Sequence, residues 1–218
     1  FAIFIFKNIM KTKAGFLGFV LLICAVLCLF FFNNSILWYS AANGNLRLLK
    51  LALALGANSN YQKDSTPLIF AAIFGKDRID VTEALLKAGS DPNSFFLRSD
   101  FTALHHASRC QRDADLVSLL IKYGAKVNVS DKTGNTPLLY ALQADHYEIG
   151  KVLLENGSDP NSTNLEGNTP LFFAIWNNKK DFVLFLISKG ARKLGNDRIL
   201  GDPISHLKTV GGLEILNT

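Results

Sequence analysis

Two short stretches that match each other decide the fold of this chain: Gly124-Ala125-Lys126-Val127-Asn128 and Gly157-Ser158-Asp159-Pro160-Asn161. Between them lies a polar turn that leads into a helix-start pattern, Asp131-Lys132-Thr133-Gly134-Asn135-Thr136-Pro137-Leu138. The two stretches are 33 residues apart. A period of that length is typical of proteins that are built from stacked structural repeats.

The period extends along most of the chain. Glycines recur at spacings of 33, 35, 33 and 33 residues, at Gly56, Gly89, Gly124, Gly157 and Gly190. An asparagine follows the first four of them by four residues, at Asn60, Asn93, Asn128 and Asn161. A second mark, Thr-Pro-Leu or a close variant, begins at Thr66, Thr102, Thr136 and Thr169 and degrades to Asp202-Pro203-Ile204. Two marks that keep one register indicate a repeat array.

Each period predicts two helices. A threonine side chain accepts hydrogen bonds from the N–H groups of a helix start, and proline fits the first helical position, so Thr136-Pro137 predicts the start of a first helix. Ile149, Val152 and Leu153 have the i, i+3, i+4 spacing of the apolar side of a second helix. Gly157 predicts its end, because glycine adopts the left-handed cap conformation without steric penalty.

This pattern resembles the ankyrin repeat, whose period is also 33 residues. The resemblance rests on the segments Thr66-Pro67-Leu68-Ile69-Phe70-Ala71-Ala72, Thr102-Ala103-Leu104-His105-His106-Ala107, Thr136-Pro137-Leu138-Leu139-Tyr140-Ala141 and Thr169-Pro170-Leu171-Phe172-Phe173-Ala174. It implies an all-α solenoid in which helix pairs stack side by side and β-hairpin loops project from them. The predicted units span about residues 35–65, 66–101, 102–135, 136–168 and 169–201, with a partial cap at 202–218.

An apolar segment precedes the array. Residues 14–32 contain no charged side chain, and as a helix they would extend about 28 Å, close to the thickness of a bilayer's hydrocarbon core. We predict a single transmembrane helix, a signal anchor, at residues 14–32, between a cytoplasmic segment at 1–13 and the array at 33–218, with Asn33 and Asn34 as a short linker. The alternatives are a signal sequence that is cleaved and a buried helix that packs on the array. Met10 is an alternative start residue.

The cations that flank this segment predict its orientation. Lys7, Lys11 and Lys13 precede it, whereas Arg47 and Lys50 are the first cations after it. By the positive-inside rule, the N-terminus faces the cytoplasm. The repeats then lie outside the cytoplasm, in the periplasm or the extracellular space.

The sequence contains little that suggests catalysis or nucleic-acid binding. His105 and His106 point about 100° apart on a helix, unlike the i, i+4 pairs that bind metals, and the resemblance gives His105 a structural hydrogen bond. Of the net charge of +5, three units precede the apolar segment, which leaves too little for a phosphate-backbone site. Cys24, Cys28 and Cys110 do not form a disulfide framework. We predict no catalytic residue, metal, cofactor, small-molecule substrate or nucleic-acid partner.

Protein binding is the function that the resemblance implies. Ankyrin arrays commonly hold partners at the hairpin tips and at the exposed end of the first helix, seven and eight residues after the signature threonine. These positions are Ile73 and Phe74, Arg109 and Cys110, Gln143 and Ala144, and Trp176 and Asn177. Phe74, Arg109 and Trp176 are the leading candidates, because exposed apolar patches and arginine mark contact surfaces.

Two aromatic features add to these candidates. The loop before Thr102 contains Phe95, Phe96 and Phe101 and is more apolar than a hairpin tip requires, so these residues are further candidate partner contacts. Packing onto the adjacent hairpin is the alternative. A separate series is aromatic in all five units and is predicted to lie in the core: Tyr39, Phe70, His106, Tyr140 and Phe173.

Together these features predict a membrane-tethered module that binds a protein through its concave face and hairpin tips, without catalysis. Three alternatives stay open. One is a soluble secreted effector released by signal cleavage, and another is a factor that assists or protects a neighbouring enzyme outside the cytoplasm. The third is an enzyme, which would need chemistry that is absent from these motifs. Fold resemblance does not identify the partner.

Overall fold

The computed structural model describes residues 32–61, 66, 68, 71, 78–96, 99–110 and 113–192. Its helices are α1 (32–43), α2 (Leu46–Ala54), α3 (Arg78–Lys87), α4 (Ala103–Cys110), α5 (Ala114–Lys122), α6 (Pro137–Gln143), α7 (Tyr147–Glu155), α8 (Pro170–Trp176) and α9 (Lys180–Ser188). Leu68 and Ala71 are also helical, at the position predicted for the first helix of the second unit. The all-α prediction is confirmed for this part of the chain.

The projecting loops differ from the predicted β-hairpins. Within the described residues there is no β-strand, and one isolated antiparallel bridge joins Phe95 to Thr102. At the following loop the Asp131 N–H donates to the Asn135 carbonyl at 3.0 Å and closes a tight turn. A ladder this short does not make a strand, so the loops are hairpin-shaped turns.

Threonine begins the first helices, as predicted. The Thr136 Oγ1 accepts a hydrogen bond from the Leu139 N–H at 3.3 Å at the start of α6, and the Thr169 Oγ1 accepts one from the Phe172 N–H at 3.1 Å at the start of α8. Proline occupies the first helical position in both helices. The five glycines predicted to end second helices have φ between 85° and 92°, a conformation that strains any other L residue.

The helices stack through a continuous apolar core. α6 packs between α4 and α8, while α5 packs between the second helices α3 and α7. Leu138, Leu139 and Leu142 of α6 are fully buried. Gly150 of α7 lets α9 approach closely, since a Cβ at this position would lie 2.9 Å from the Cζ of Phe182. A single unit can bury its apolar side only against neighbouring units. The stack therefore folds as a whole.

The asparagine of each mark joins one unit to the next. The Asn128 Nδ2 donates to the Gly157 carbonyl at 2.9 Å, and its Oδ1 accepts from the Asp159 N–H at 2.9 Å. The same pair of bonds, to the equivalent positions one unit on, is made by Asn60, Asn93 and Asn161. We call these four residues the asparagine ladder. It satisfies backbone groups just after α3, α5, α7 and α9.

The loop tips also bond to each other. The Leu165 N–H donates to the Thr133 carbonyl at 3.0 Å, and the Lys132 N–H donates to the Ser99 carbonyl at 3.2 Å. Gly134 lies at the closest approach: its φ is 78°, and an added Cβ would lie 2.9 Å from the Leu165 backbone nitrogen. The tips therefore form a second connected layer beside the helices.

The start of the array corrects the predicted linker. Asn33 and Asn34 lie inside α1, and Phe32 before them is also helical. The Asn33 Nδ2 donates to the Leu55 carbonyl at 3.0 Å. The fully buried Asn34 accepts from the Asn58 N–H at 2.8 Å through its Oδ1. These asparagines bind α1 to the end of α2, because their amides satisfy the backbone groups there.

Some predicted regions lie outside the described residues. They are the segment at 1–13, residues 14–31 of the apolar segment, and the partial cap at 202–218. Among the residues that the structure does describe, no helix has the length and apolar character needed to cross a bilayer. The transmembrane helix at 14–32 stays a prediction.

The aromatic series is only partly a core feature. Tyr140 and Phe173 are buried, His106 is half-buried, and Phe70 lies outside the described residues. Tyr39 is 63% exposed, so its prediction as a core residue is wrong. It lies on α1, the first helix described, and no earlier described unit covers it.

Candidate functional site

Three exposed side chains lie at the C-terminal ends of α4, α6 and α8, one on each helix. Arg109, Gln143 and Trp176 are all exposed, and each lies seven residues after its unit's threonine. Because α6 packs between α4 and α8, the three side chains come from successive units of one stack. We call these three residues the first-helix row.

Trp176 is the largest apolar group in the row. It is 53% exposed, and its ring stacks on Phe172 with centroids 6.0 Å apart and planes at 24°. Phe172 is partly buried against the core and meets Phe173 edge-on at 5.4 Å. The indole is therefore positioned by its own helix while about half of it remains open to solvent.

Arg109 is held by contacts that lead to a loop tip. Its guanidinium lies 5.4 Å from the centroid of the Tyr140 ring. The Tyr140 hydroxyl donates to the Asp131 Oδ2 at 2.7 Å, and the Asp131 Oδ1 accepts from the N–H groups of Thr133 and Asn135, each at 2.9 Å. Burial alone would raise the pKa of Asp131, but the Thr133 hydroxyl, which donates to Oδ1 at 2.7 Å, and these other hydrogen bonds hold it below its usual value. The carboxylate therefore fixes the ring on which the arginine rests.

Two residues that were predicted to contact a partner make contacts within the array. The Asn177 Nδ2 donates to the Leu142 carbonyl at 3.2 Å and joins the end of α8 to α6. Phe101 is 8% exposed, and its ring lies 5.1 Å from both His105 and Tyr140. Phe101 is a core residue, which corrects its prediction as a partner contact: its ring fills the gap between α4 and α6.

The other residues that were predicted to contact a partner differ in exposure. Phe95 is 44% exposed, whereas Phe96 is partly buried against the core. Ile73 and Phe74 lie outside the described residues. Phe95 is thus the exposed one of the three loop aromatics, Phe95, Phe96 and Phe101.

Sequence reasoning missed the most exposed large apolar residue of the loops that the structure describes. Leu165 is 81% exposed at a loop tip, between Asn164 and Glu166. An apolar residue in an otherwise polar turn was the available signal. Its backbone N–H is bonded to Thr133 of the preceding tip, so the side chain is presented from an ordered position.

The two adjacent histidines have structural surroundings. The Thr102 N–H donates to the His105 Nδ1 at 3.2 Å, which places the proton on Nε2, and Nε2 donates to the Asn135 carbonyl at 3.2 Å. This is the loop bond that the resemblance implied. Burial lowers the pKa of His105, and burial together with the nearby Arg109 charge lowers the pKa of His106 to about 4. Both rings are neutral at pH 7.

Comparison with known proteins agrees with this geometry. The family described as "Ankyrin repeats (3 copies)" matches residues 104–197, and the family described as "Ankyrin repeat" matches residues 63–95. The ankyrin repeat protein FPV224 of fowlpox virus is 32% identical over 115 residues, which are 52% of this chain and 78% of that protein. The chain belongs to the ankyrin repeat family.

Two other relatives match the ankyrin array over a small part of their own length. The ankyrin repeat protein L371 of Acanthamoeba polyphaga mimivirus is 32% identical over 119 residues, 54% of this chain and 15% of that protein. The Notch protein of Drosophila melanogaster is 33% identical over 101 residues, 40% of this chain and 4% of Notch. These likenesses concern the repeats.

Ankyrin repeats are generally non-catalytic interaction scaffolds. Among the described residues, the first-helix row is exposed at helix ends, and Phe95 and Leu165 are exposed at loop tips. In the described part of the chain, no group of three or more His, Cys, Asp or Glu side chains is placed to hold a metal ion.

Proposed function

We propose that this chain is a membrane-tethered, non-catalytic ankyrin module that binds a protein partner through its concave face and loop tips. The observation that carries the proposal is the first-helix row, in which successive units present Arg109, Gln143 and Trp176 from helix ends of one rigid stack. Tryptophan and arginine are enriched among residues whose truncation weakens protein complexes most.

Order in the free array supports this function. Trp176 is stacked on Phe172, and Arg109 rests on a tyrosine that Asp131 fixes. A side chain that is already ordered loses less conformational entropy when a partner docks, an effect of about 0.5–1.5 kcal/mol per immobilised side chain. The rigid row therefore favours binding without a refolding step.

The membrane tether is supported by the sequence. Residues 14–32 are uncharged and long enough to span a bilayer, and three lysines precede them. We propose that the N-terminus lies in the cytoplasm and the repeats outside it, in the periplasm or extracellular space. A partner would then be an envelope or extracellular protein.

The binding site is tested by photo-crosslinking in cells. A benzoylphenylalanine in place of Trp176 is expected to give a discrete protein adduct, whereas the same group in place of Leu184 is not. Leu184 is the matched control, because it is 46% exposed on α9 of the same unit but belongs to the second helix. Trp176→Ala is then expected to weaken binding of the identified partner by about 30-fold or more, with Leu184→Ala unchanged. Equal adducts and equal affinities at both positions would refute this site.

Topology is tested separately. A reporter that is active only outside the cytoplasm, and another that fluoresces only inside it, are each fused after Thr218 while the chain is followed in membrane fractions. Activity outside, from an uncleaved membrane-bound chain, is the expected result. A soluble chain that begins after Phe32 would indicate a secreted effector instead, and fluorescence inside would overturn the orientation.

A further inference from the structure

The second helix of the first unit, α2, has an unusual exposed side. Leu51, at 54% exposure, and the cations Arg47 and Lys50 are exposed on α2, and Leu55, which directly follows the helix, is 59% exposed. Helix α2 contains no acidic residue. The other second helices each expose at least one: Asp80 on α3, Asp115 on α5, Glu148 on α7 and Asp181 on α9. The first unit therefore presents an apolar and basic surface where the later units present mixed charges.

This surface lies where the apolar segment enters the array. α1 and α2 are antiparallel, and the bond from Asn33 to the Leu55 carbonyl, 3.0 Å long, ties the start of α1 to the end of α2. Phe32, at the start of α1, is 63% exposed. We call Phe32, Leu51 and Leu55 the N-terminal apolar edge. It follows directly on the uncharged residues 14–31, because Asn33 and Asn34 belong to α1 rather than to a linker.

We propose that the N-terminal apolar edge docks on the surface of an anionic lipid bilayer, with Arg47 as its headgroup contact. At 1.5 Å per helical residue, Leu51 lies about 6 Å and Arg47 about 12 Å along α2 from Leu55. Leu55 lies next to the start of α1, and Arg47 lies two turns away along α2. Apolar side chains followed by a cation are the order found across a membrane interface, where cations meet lipid phosphates. Lys50 contributes less, because it lines the groove between α2 and α3 opposite Asp80 and Glu83.

The charge pattern favours lipid over the other occupants. A second copy packed on the same edge in an isologous contact would bring Arg47 of both chains together without an acidic partner from α2. An anionic bilayer complements both the leucines and the cations. The proposal rests on the tether proposed above, in a membrane whose leaflet on the side of the repeats carries anionic lipid, and adds which side of the array that leaflet covers.

The experiment measures lipid contact directly on the full chain. Cys24→Ala, Cys28→Ala and Cys110→Ser remove the native thiols, and Leu55→Cys or Leu184→Cys provides one labelling site for the fluorophore NBD. Leu55 is exposed at the end of one second helix and Leu184 is exposed on another, so Leu184 is the control. Each chain is reconstituted into vesicles of phosphatidylcholine and phosphatidylserine that contain Tempo-phosphatidylcholine, whose headgroup quenches NBD on contact, and flotation of the vesicles reports the tether independently.

Quenching at position 55 is expected to exceed that at position 184 by about twofold or more. Arg47→Glu, or vesicles of phosphatidylcholine alone, should reduce this difference. A chain that floats with its vesicles but is quenched equally at both positions overturns the docking proposal and leaves the tether intact, and it would point to a second copy or residues 14–31 covering the edge. A chain that does not float overturns both.

Discussion

The Tyr140 hydroxyl donates a hydrogen bond to the Asp131 Oδ2 at 2.7 Å, across the junction between a loop tip and the helix that follows it. The other carboxylate oxygen holds the turn through Thr133 and Asn135. Tyr140→Phe would leave a buried carboxylate oxygen without its partner. It is expected to lower the free energy of unfolding by about 1.5–3 kcal/mol, the range for hydrogen bonds to charged groups, as measured by urea unfolding.

Tyr147→Phe is the matched control for that variant. Within the described residues the buried Tyr147 hydroxyl makes no hydrogen bond of normal geometry, although Asn177 and Asp145 lie near it. Removing it should change the free energy of unfolding by no more than about 0.5 kcal/mol or raise it slightly. If both tyrosine variants lose the same stability, a general effect of removing a buried hydroxyl, rather than the Asp131 bond, explains the first result.

Much of this fold was predictable because its marks act locally. Thr136 and Thr169 cap the helices that the sequence indicated, and Gly157 has the left-handed conformation expected of a helix end. A cap depends on the bonds that one residue makes within its own turn, so its position follows from the sequence alone.

A second prediction concerns the contact between loop tips. Gly134→Ala places a Cβ 2.9 Å from the Leu165 nitrogen at a φ of 78°. Conformational strain of about 1–2 kcal/mol and overpacking of about 1–3 kcal/mol should add, which gives a loss of about 2–5 kcal/mol. Gly157→Ala, with a φ of 86° and open space around it, should lose only the strain. Thermal unfolding of both variants that shows equal losses would argue against close packing of the tips.

A third prediction concerns the asparagine ladder. Asn128→Ala removes two hydrogen bonds between units and should cost about 1–2 kcal/mol, since exposed bonds lie toward the low end of the usual range. It should also broaden the unfolding transition, because coupling between neighbouring units makes solenoid unfolding cooperative. Asn156→Ala is the control: its Nδ2 donates to the Val152 carbonyl of its own helix, and its loss should be about 0.5 kcal/mol or less.

A fourth prediction is a stability change with pH. The native pKa of His106 is about 4, below its ordinary value of 6.5, so the unfolded chain binds more protons between these values. Stability should therefore be full above pH 6.5 and fall as the pH drops to about 4. His106→Leu, which keeps an apolar side chain at this position, should flatten that slope in urea unfolding measured at several pH values.

The remaining slope in the His106→Leu variant is assigned to His105, whose pKa is lowered in the same direction by burial. Asp131 acts in a different window, because its lowered pKa removes stability only as the pH falls through the acid range below its ordinary value of 3.8. An unchanged slope in His106→Leu would show that this ring is not buried as described.

The candidate surface was harder to predict than the fold. Phe95 and Phe101 belong to one loop and are the same residue type, yet one is 44% exposed and the other 8%. Their positions depend on the contact of Phe101 with His105 and Tyr140, which joins residues of two units. The role of Asn34 was equally hard to predict, because it bonds to the end of α2 from within a helix and lies outside the register of the other asparagines.

Two residues of the asparagine ladder lie in sequences that can be N-glycosylated during synthesis. Asn128-Val129-Ser130 and Asn161-Ser162-Thr163 both have the Asn-x-Ser/Thr form that oligosaccharyltransferases modify. The nitrogen that would carry the sugar is the Nδ2 that donates to Gly157 or Gly190 one unit further on. In a eukaryotic secretory lumen, a glycan attached before folding would place a bulky group at each of these two rungs. The ladder is therefore compatible with a route of synthesis on which those asparagines are not glycosylated.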